Sequence, residues 1–284
     1  MLISTVMPTY NRQKKLQTCL EKVLSCNPQS SEILIHIDCG DTQTIPFLKS
    51  KKYPLVRWIT SQTRQGPGGG RNRLIQEAKS PLIASFDDDS WPLDPNYFQV
   101  ATEIFAAHPQ AAVLSAQEIR PKTTPPDPNG PIQPVSCFQN CACLIRRDAF
   151  LQTRGYLPLR YAYGMEEADV ALQLLDLGWQ ILDVPQLRVF HDTQLSHHAS
   201  PAINAAHITN TALRVYLRYP SSHWLLGIAQ VLNRVKYAAF SACRYDGILQ
   251  GLAQIPPTLW KYRQERSPVK ASTIALSRQL SKSY

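Results

Sequence analysis

Three consecutive carboxylates, Asp87, Asp88 and Asp89, follow the mostly apolar run Leu82 to Phe86 in the stretch PLIASFDDDSWP. Like charges crowded at a strand end repel one another unless a cation or hydrogen-bond donors neutralise them, and oxygen-rich clusters suit hard divalent ions such as Mg²⁺ or Mn²⁺. The pattern predicts a metal site serving a diphosphate, with a solvated Asp-rich turn as the alternative. A second acidic group, Glu166, Glu167 and Asp169 in GMEEAD, opens a predicted helix. The helix dipole and free N–H groups stabilise negative charge there, so plain capping competes with the role of a general base that deprotonates an acceptor hydroxyl. His191, ending another predicted strand, is either a lone histidine or a third metal ligand.

Three further turns carry polar groups. PTYNR (8–12) offers a hydroxyl, an aromatic face, an amide and a cation where a base and phosphate could dock. DCGD puts Asp38 at a strand end, suited to accept from a uracil or guanine N–H or simply to cap. In GPGGGRN, glycines leading into a helix can cradle phosphate with backbone N–H groups, Arg71 adding charge; a flexible active-site turn is the alternative. The stretch matches neither G-x-G-x-x-G nor a P-loop, which argues against dehydrogenase and kinase readings.

The elements that must position these groups follow from periodicity. Strands are predicted at 2–7, 33–37, 55–60 and 82–86, with helices between them carrying Leu16, Leu20, Val23 and Leu24, then residues 45–49, then Leu74, Ile75 and Ala78. Four strand–helix alternations imply an α/β fold with a mostly parallel sheet and ligands at the carboxyl ends of its strands. Asp94 as N-cap and Pro95 in the first turn signal the next helix. Strands are then expected at 112–116, 137–145, 179–184 and 187–190, with a helix from GMEE to Gly178 and a proline-rich loop, PKTTPPDPNGPIQP, in between. Beyond Ser200 the chain reads as helical.

The 284 residues suffice for one α/β domain with an appendage. The apolar N-terminal run stops at Pro8 without a basic flank, and no apolar run approaches the roughly 20 residues of a bilayer span, so a cytoplasmic protein, or one peripheral on the cytoplasmic face of a membrane, is expected. The seven cysteines show no C-x-x-C pairing and read as reduced core thiols rather than a zinc site. The net charge of +9 lies entirely beyond residue 204, where 11 Lys and Arg face only Asp246 and Glu265. In that tail Trp224, Leu225, Ile228, Val231, Leu232 and Val235 form an apolar stripe, suited to packing on the core or to lying on an anionic membrane. Nucleic-acid binding lacks interleaved aromatic platforms or a motif and is not expected.

PTYNR, IDCGD, GGGRN, FDDD, NCACLIRRDAF, GMEEADVALQLLDLGW and VFHD follow one another in an order and approximate spacing that resembles the family-2 glycosyltransferases of the GT-A fold, over about residues 2–192. The resemblance implies a Rossmann-like GT-A catalytic domain over 1–200, a basic helical extension over 201–284, and a metal-dependent, hexosyltransferase-type inverting transfer. The donor would be a nucleoside diphosphate sugar and the acceptor a hydroxyl of a glycan or lipid-linked molecule. By that likeness Pro8, Thr9, Tyr10, Arg12 and Asp38 would hold the nucleoside, and Arg71 would lie near the phosphates. Asp87 and Asp88 would contact ribose or sugar, with Asp89, Asp87 and His191 as ligands of Mn²⁺ or Mg²⁺. Glu167 would be the base, with Glu166 and Asp169 beside it. Asp41 and Gln173 depart from the pattern, standing near where a Ser or Thr and an Arg are usual. A sugar-1-phosphate nucleotidyltransferase and a catalytically silent nucleotide-sugar or glycan binding module are the competing readings.

Overall fold

The computed structural model describes residues 2–51, 53–124, 127–193 and 200–281. Lys282 of the basic tail, and Pro125 and Pro126 of the proline-rich loop, fall outside these residues. Nine strands form one sheet: β1 (Ile3–Thr9), β2 (Glu32–Ile37), β3 (Val56–Thr60), β4 (Leu82–Phe86), β5 (Ser90–Pro92), β6 (Ala111–Ile119), β7 (Gln133–Pro134), β8 (Ala142–Arg146) and β9 (Gln180–His191). Their order is β3-β2-β1-β4-β8-β6-β9-β5, with β7 also on β9. The helices are α1 (Gln13–Leu24), α2 (Thr44–Lys51), α3 (Gly66–Glu77), α4 (Tyr97–Ala107), α5 (Arg147–Leu151), α6 (Glu166–Asp176), α7 (Pro201–Arg218), α8 (Trp224–Lys236), α9 (Ile248–Ala253), α10 (Ile255–Lys261) and α11 (Ala271–Leu280).

The first four strands are parallel, as alternation with helices requires. Beyond them the sheet is mixed, because β8 runs antiparallel to both β4 and β6. Each central strand is apolar on both faces: Ile33, Ile35 and Ile37 of β2 join one core with α1, α2 and α4, while Leu34 joins the other with α3 and α6. This two-sided burial is what near-continuous apolar strands produce under helical cover.

Several boundaries differ from expectation. Asp94 does not cap α4; its carboxylate is paired with Arg188 on β9, and the helix begins at Tyr97. The strand expected from Cys137 begins only at Ala142. The two strands expected at 179–184 and 187–190 are one, β9, with a register break opposite Ala116 and Gln117 where Pro185, which lacks a donor, passes through.

The C-terminal helices pack on the sheet domain. Leu213 and Leu217 of α7 bury against Leu157, Leu159 and Met165, and Val215, Tyr219, Val269 and Ile274 bury against Leu172 of α6. All seven cysteines are free thiols.

Candidate active site

The carboxyl ends of β1, β2 and β4, the end of β9 and the start of α6 surround one cavity of about 1060 Å³. Pro8, Thr9, Tyr10, Arg12, Asp38, Arg71, Asp87, Asp88, Asp89, Glu166, Glu167 and His191 all line it, and of the sequence-predicted residues Asp169 alone does not.

The acidic turn is set by Ser90, whose hydroxyl accepts from the Asp87 N–H at 2.8 Å and donates to the Cys141 carbonyl at 2.7 Å. Antiparallel pairing of β5 with β9 puts His191 opposite Ser90, and the Asp192 N–H donates to the Asp89 carbonyl at 2.9 Å. The strand register therefore delivers an imidazole to the carboxylate cluster. His191 Nε2 lies 3.3 Å from Asp89 and 3.8 Å from Asp87. Its Nδ1 lies 2.6 Å from Glu118 on β6, a residue beyond the strand expected at 112–116. Burial disfavours a charged imidazole, but Asp89, Cys141 and Glu118 outweigh it and push the His191 pKa up to about 12. Burial likewise raises Asp89, yet His191 and Arg12 more than reverse this, so it ionises below the usual carboxylate range.

Asp88 is turned away from open space. It accepts from the Thr9 hydroxyl at 2.8 Å and from Arg12 at 2.6 Å, and Arg12 also grips Asp89. Burial, reinforced by Asp89 and Asp87, pushes its pKa up to about 7 against the pull of Arg12 and Thr9. Arg71 is buried: its Nε donates to Ser85 at 3.0 Å and its Nη2 to Asp87, so it anchors the acidic turn from beneath instead of reaching freely toward phosphates. The three carboxylates are thus balanced by the chain's own Arg12, Arg71 and His191.

A divalent cation fits this donor set. The ligand atoms of Asp87, Asp89 and His191 lie within 4.8 Å of one another, and two carboxylates with one imidazole suit Mn²⁺ or Mg²⁺. Glu118 on the far ring nitrogen is the kind of carboxylate partner that orients a metal-binding histidine. Cys141 also approaches His191, but its soft sulfur suits Mn²⁺ or Mg²⁺ less well than carboxylate oxygens do.

On the opposite wall, Glu166 is buried and accepts from Asn140 Nδ2 at 3.0 Å. Glu167 receives the Asn140 N–H at 3.4 Å. Burial, and for Glu166 its neighbour's charge, push both carboxyls upward. Asn140 is held in turn by the Tyr156 hydroxyl at 2.7 Å. The role of Asn140 was not legible in NCACLIRRDAF. Asp169 faces inward, both its oxygens on Arg218 of α7 at 2.7 and 2.9 Å, with Gln173 at 3.0 Å, so its candidacy as a catalytic group gives way to a structural one.

The nucleoside end differs from expectation in detail. Asp38 accepts from the N–H groups of Cys39 at 2.9 Å, Gln65 at 2.9 Å and Gly66 at 3.0 Å, which ties β2 to the start of α3 and leaves little acceptor capacity for a base. Tyr10 is half-exposed, with the Arg64 guanidinium 4.6 Å from its ring centre. Asp41 accepts from Asn11 N–H at 2.7 Å and from Thr44 N–H at 2.8 Å, latching the PTYNR turn to α2. The glycines of GPGGGRN form no open phosphate loop: they lie within α3, where a Cβ at Gly70 would stand 2.6 Å from His36 Nδ1 and one at Gly68 would stand 2.5 Å from Glu166 Oε1.

Residues 4–155 match the model of glycosyl transferase family 2. Over 90 residues the chain is 26% identical to GalNAc(5)-diNAcBac-PP-undecaprenol beta-1,3-glucosyltransferase of Campylobacter jejuni, a match covering 31% of this chain and 29% of that protein. The chain covers at most two fifths of the length of the curated relatives it matches. Among solved structures, TarS of S. aureus with UDP-GlcNAc superposes with a TM-score of 0.66 at 17% identity, covering 94% of this chain and 82% of that one. The mannosyltransferase PcManGT of Pyrobaculum calidifontis, with GDP-Man and Mn²⁺, gives 0.61 at 11% identity, covering 99% and 84%. Their fold is the GT-A arrangement, which this chain shares.

Proposed function

From the premise that this chain belongs to glycosyl transferase family 2, we propose that it transfers a sugar, with inversion, from a nucleoside diphosphate sugar to a hydroxyl of a glycan or lipid-linked acceptor. The observation that carries this reading is the presence in one cavity of a cation cradle, Asp87, Asp89 and His191, and a carboxyl pair, Glu166 and Glu167. The cavity's volume suits a nucleotide sugar, and the mannosyltransferase neighbour holds such a donor together with Mn²⁺.

The cavity residues take parts that suit their surroundings. Tyr10 offers a ring to the base and Thr9 holds Asp88, while Arg12 ties Asp88 and Asp89 together beneath the diphosphate. When bound, a divalent cation held by Asp87, Asp89 and His191 would neutralise the charge that builds on the departing diphosphate. Glu167 takes the proton of the acceptor hydroxyl, since it is the less buried of the pair and its raised pKa makes it a stronger base than an ordinary carboxylate. Glu166, fixed by Asn140, keeps that end of α6 in register with the cavity.

The test is a thermal-shift panel of UDP, GDP and dTDP sugars with and without Mn²⁺, followed by detection of the released nucleotide. A donor that raises Tm only with the metal, and releases nucleoside diphosphate, supports the proposal. Pyrophosphate released from a nucleoside triphosphate would replace it with nucleotidyl transfer, and metal-dependent binding without turnover on any acceptor would replace it with a binding module.

A further inference from the structure

A helix that merely covers a core turns its apolar stripe inward. Helix α8 does the reverse over much of its length. It meets α7 through Gly227, where a Cβ would collide with Val215, and the half-buried residues beside that contact include Gln230 and Arg234. Leu225, Ile228 and Leu232 face outward, and a π-helical turn over Tyr237–Ser241 continues the line through Lys236 to Phe240. Spacings of three and four residues keep these five side chains on one face. Leu225 is 83% exposed and Phe240 78%, and further along the same segment Leu249 is 82% and Trp260 70% exposed. Such a surface is costly in water unless something covers it.

The charge identifies the cover. Of the cations beyond residue 204, Arg218 is buried on Asp169, but Lys236, Lys261 and Arg263 are exposed, Arg263 lying 4.2 Å from the ring centre of Trp260. A strongly cationic surface of this kind would repel a second copy of itself and is attracted to phosphate headgroups. No helix among the described residues is long and apolar enough to cross a membrane, so the face can lie on a bilayer but not span it. We propose that α8 and the residues following it dock on an anionic lipid surface, the aliphatic and aromatic side chains entering the headgroup layer and the cations meeting lipid phosphate.

Docking would also orient the cavity. Helix α7, on which α8 rests, contributes Ile203 to the cavity lining, and its Asn210 donates to the carbonyls of Tyr161 at 2.8 Å and Tyr163 at 3.0 Å in the cavity wall. A protein held by α8 therefore holds its cavity at a set distance from the lipid. Only the consequence, that a lipid-linked acceptor comes within reach, rests on the transferase reading; docking itself does not.

The experiment is flotation of the full chain with vesicles of phosphatidylcholine containing about 30% phosphatidylglycerol, against vesicles of phosphatidylcholine alone. The expected result is flotation with the anionic vesicles, weakened by salt, and an about tenfold or greater loss of partitioning when Leu225→Ser, Ile228→Ser, Leu232→Ser and Phe240→Ser are combined. These side chains are exposed, so Tm and the hydrolysis of a donor sugar in solution should not change. Failure of the native chain to float with anionic vesicles, or equal flotation of the quadruple variant, overturns the proposal. So does sedimentation showing that the native chain self-associates and the variant does not, since a second copy would then be the cover. Flotation by a chain that turns over no donor would refute the transferase reading and leave the docking intact.

Discussion

Arg218 on α7 clasps both carboxylate oxygens of Asp169 on α6, at 2.7 and 2.9 Å, with both side chains out of solvent. The helix that presents Glu166 and Glu167 is thereby bolted to the C-terminal block. Arg218 Nη1 also donates to the Glu265 carbonyl at 3.1 Å, so the same guanidinium ties down the segment leading to α11. Burial pushes Asp169 up, and it ionises only with the help of Arg218 and Gln173. Arg218→Met should therefore strand a buried carboxyl and cost about 3–5 kcal/mol, read as a drop in Tm. Adding Asp169→Leu should recover part of that loss; no recovery would show that the ion pair is not the source of the coupling.

The proposed base gives a pH signature. Glu167 is pushed above the ordinary carboxylate range by burial, so a larger share of it is protonated at mildly acid pH than for a free glutamate. Turnover should fall as pH falls through that raised value, with the acid limb displaced upward. Glu167→Gln should lower turnover by about 10²–10⁴-fold while leaving the donor-induced Tm shift intact. A variant with native turnover would transfer the role to Glu166, whose pair titrates jointly with it.

The cation cradle predicts a graded loss of metal affinity. Asp89→Asn removes one of the three proposed ligands and should abolish Mn²⁺ binding in a direct titration. Glu118→Gln leaves all three ligands but loosens His191, so an about 10–100-fold weaker Kd is expected. Asp94→Asn, whose parent carboxylate is paired with Arg188, should bind Mn²⁺ as the native chain does. An unchanged Kd in Glu118→Gln would mean that His191 needs no such support.

Asp41 predicts an acid-side stability effect. Burial raises its pKa, but the donors on Asn11, Thr44 and Gln43 outweigh this and hold it below the ordinary carboxylate range. A depressed folded-state pKa adds stability that is complete above the unfolded value and disappears as pH falls through the folded one. Asp41→Ala should cost about 1 kcal/mol near neutrality, as loss of a helix cap does. The gap in urea midpoint between the two proteins should narrow as pH is lowered below the ordinary carboxylate range; a gap independent of pH would refute the carboxylate's role.

How far the sequence could be read depended on whether the signal was local. Leu82–Phe86 was legible to the residue because five apolar positions between Pro81 and three aspartates admit little else. His191 was legible as a candidate only through its strand-end position, since what brings it to Asp89 is the register of β5 on β9, which pairs His191 with Ser90, 101 residues away in the chain. Glu118 and Asn140 were illegible as site residues for the same reason: each acts through a partner on another strand or helix. Asp94 misled because an aspartate followed by proline shortly before an apolar helical run reads as a cap, whereas the helix begins three residues later and tertiary pairing with Arg188 claimed the carboxylate.

The glycines of GPGGGRN carry the last prediction, because their helical setting reverses what composition suggests. Glycine inside a helix costs about 0.5–1 kcal/mol relative to alanine, so Gly70→Ala should stabilise α3 if only propensity mattered. At this position a Cβ would stand 2.6 Å from Nδ1 and 3.0 Å from Cγ of His36, a ring whose other nitrogen is held by the Ser61 hydroxyl at 2.5 Å. The ring has little freedom to yield, so α3 must move outward, and overpacking of this kind costs about 1–3 kcal/mol. The overpacking cost exceeds the propensity gain, so Gly70→Ala should melt below the native chain. It should also bind Mn²⁺ more weakly, since the adjacent Arg71 anchors Asp87 and would move with the helix. A variant that melts at or above the native Tm would show that His36 can step aside and that close approach is not why glycine stands there.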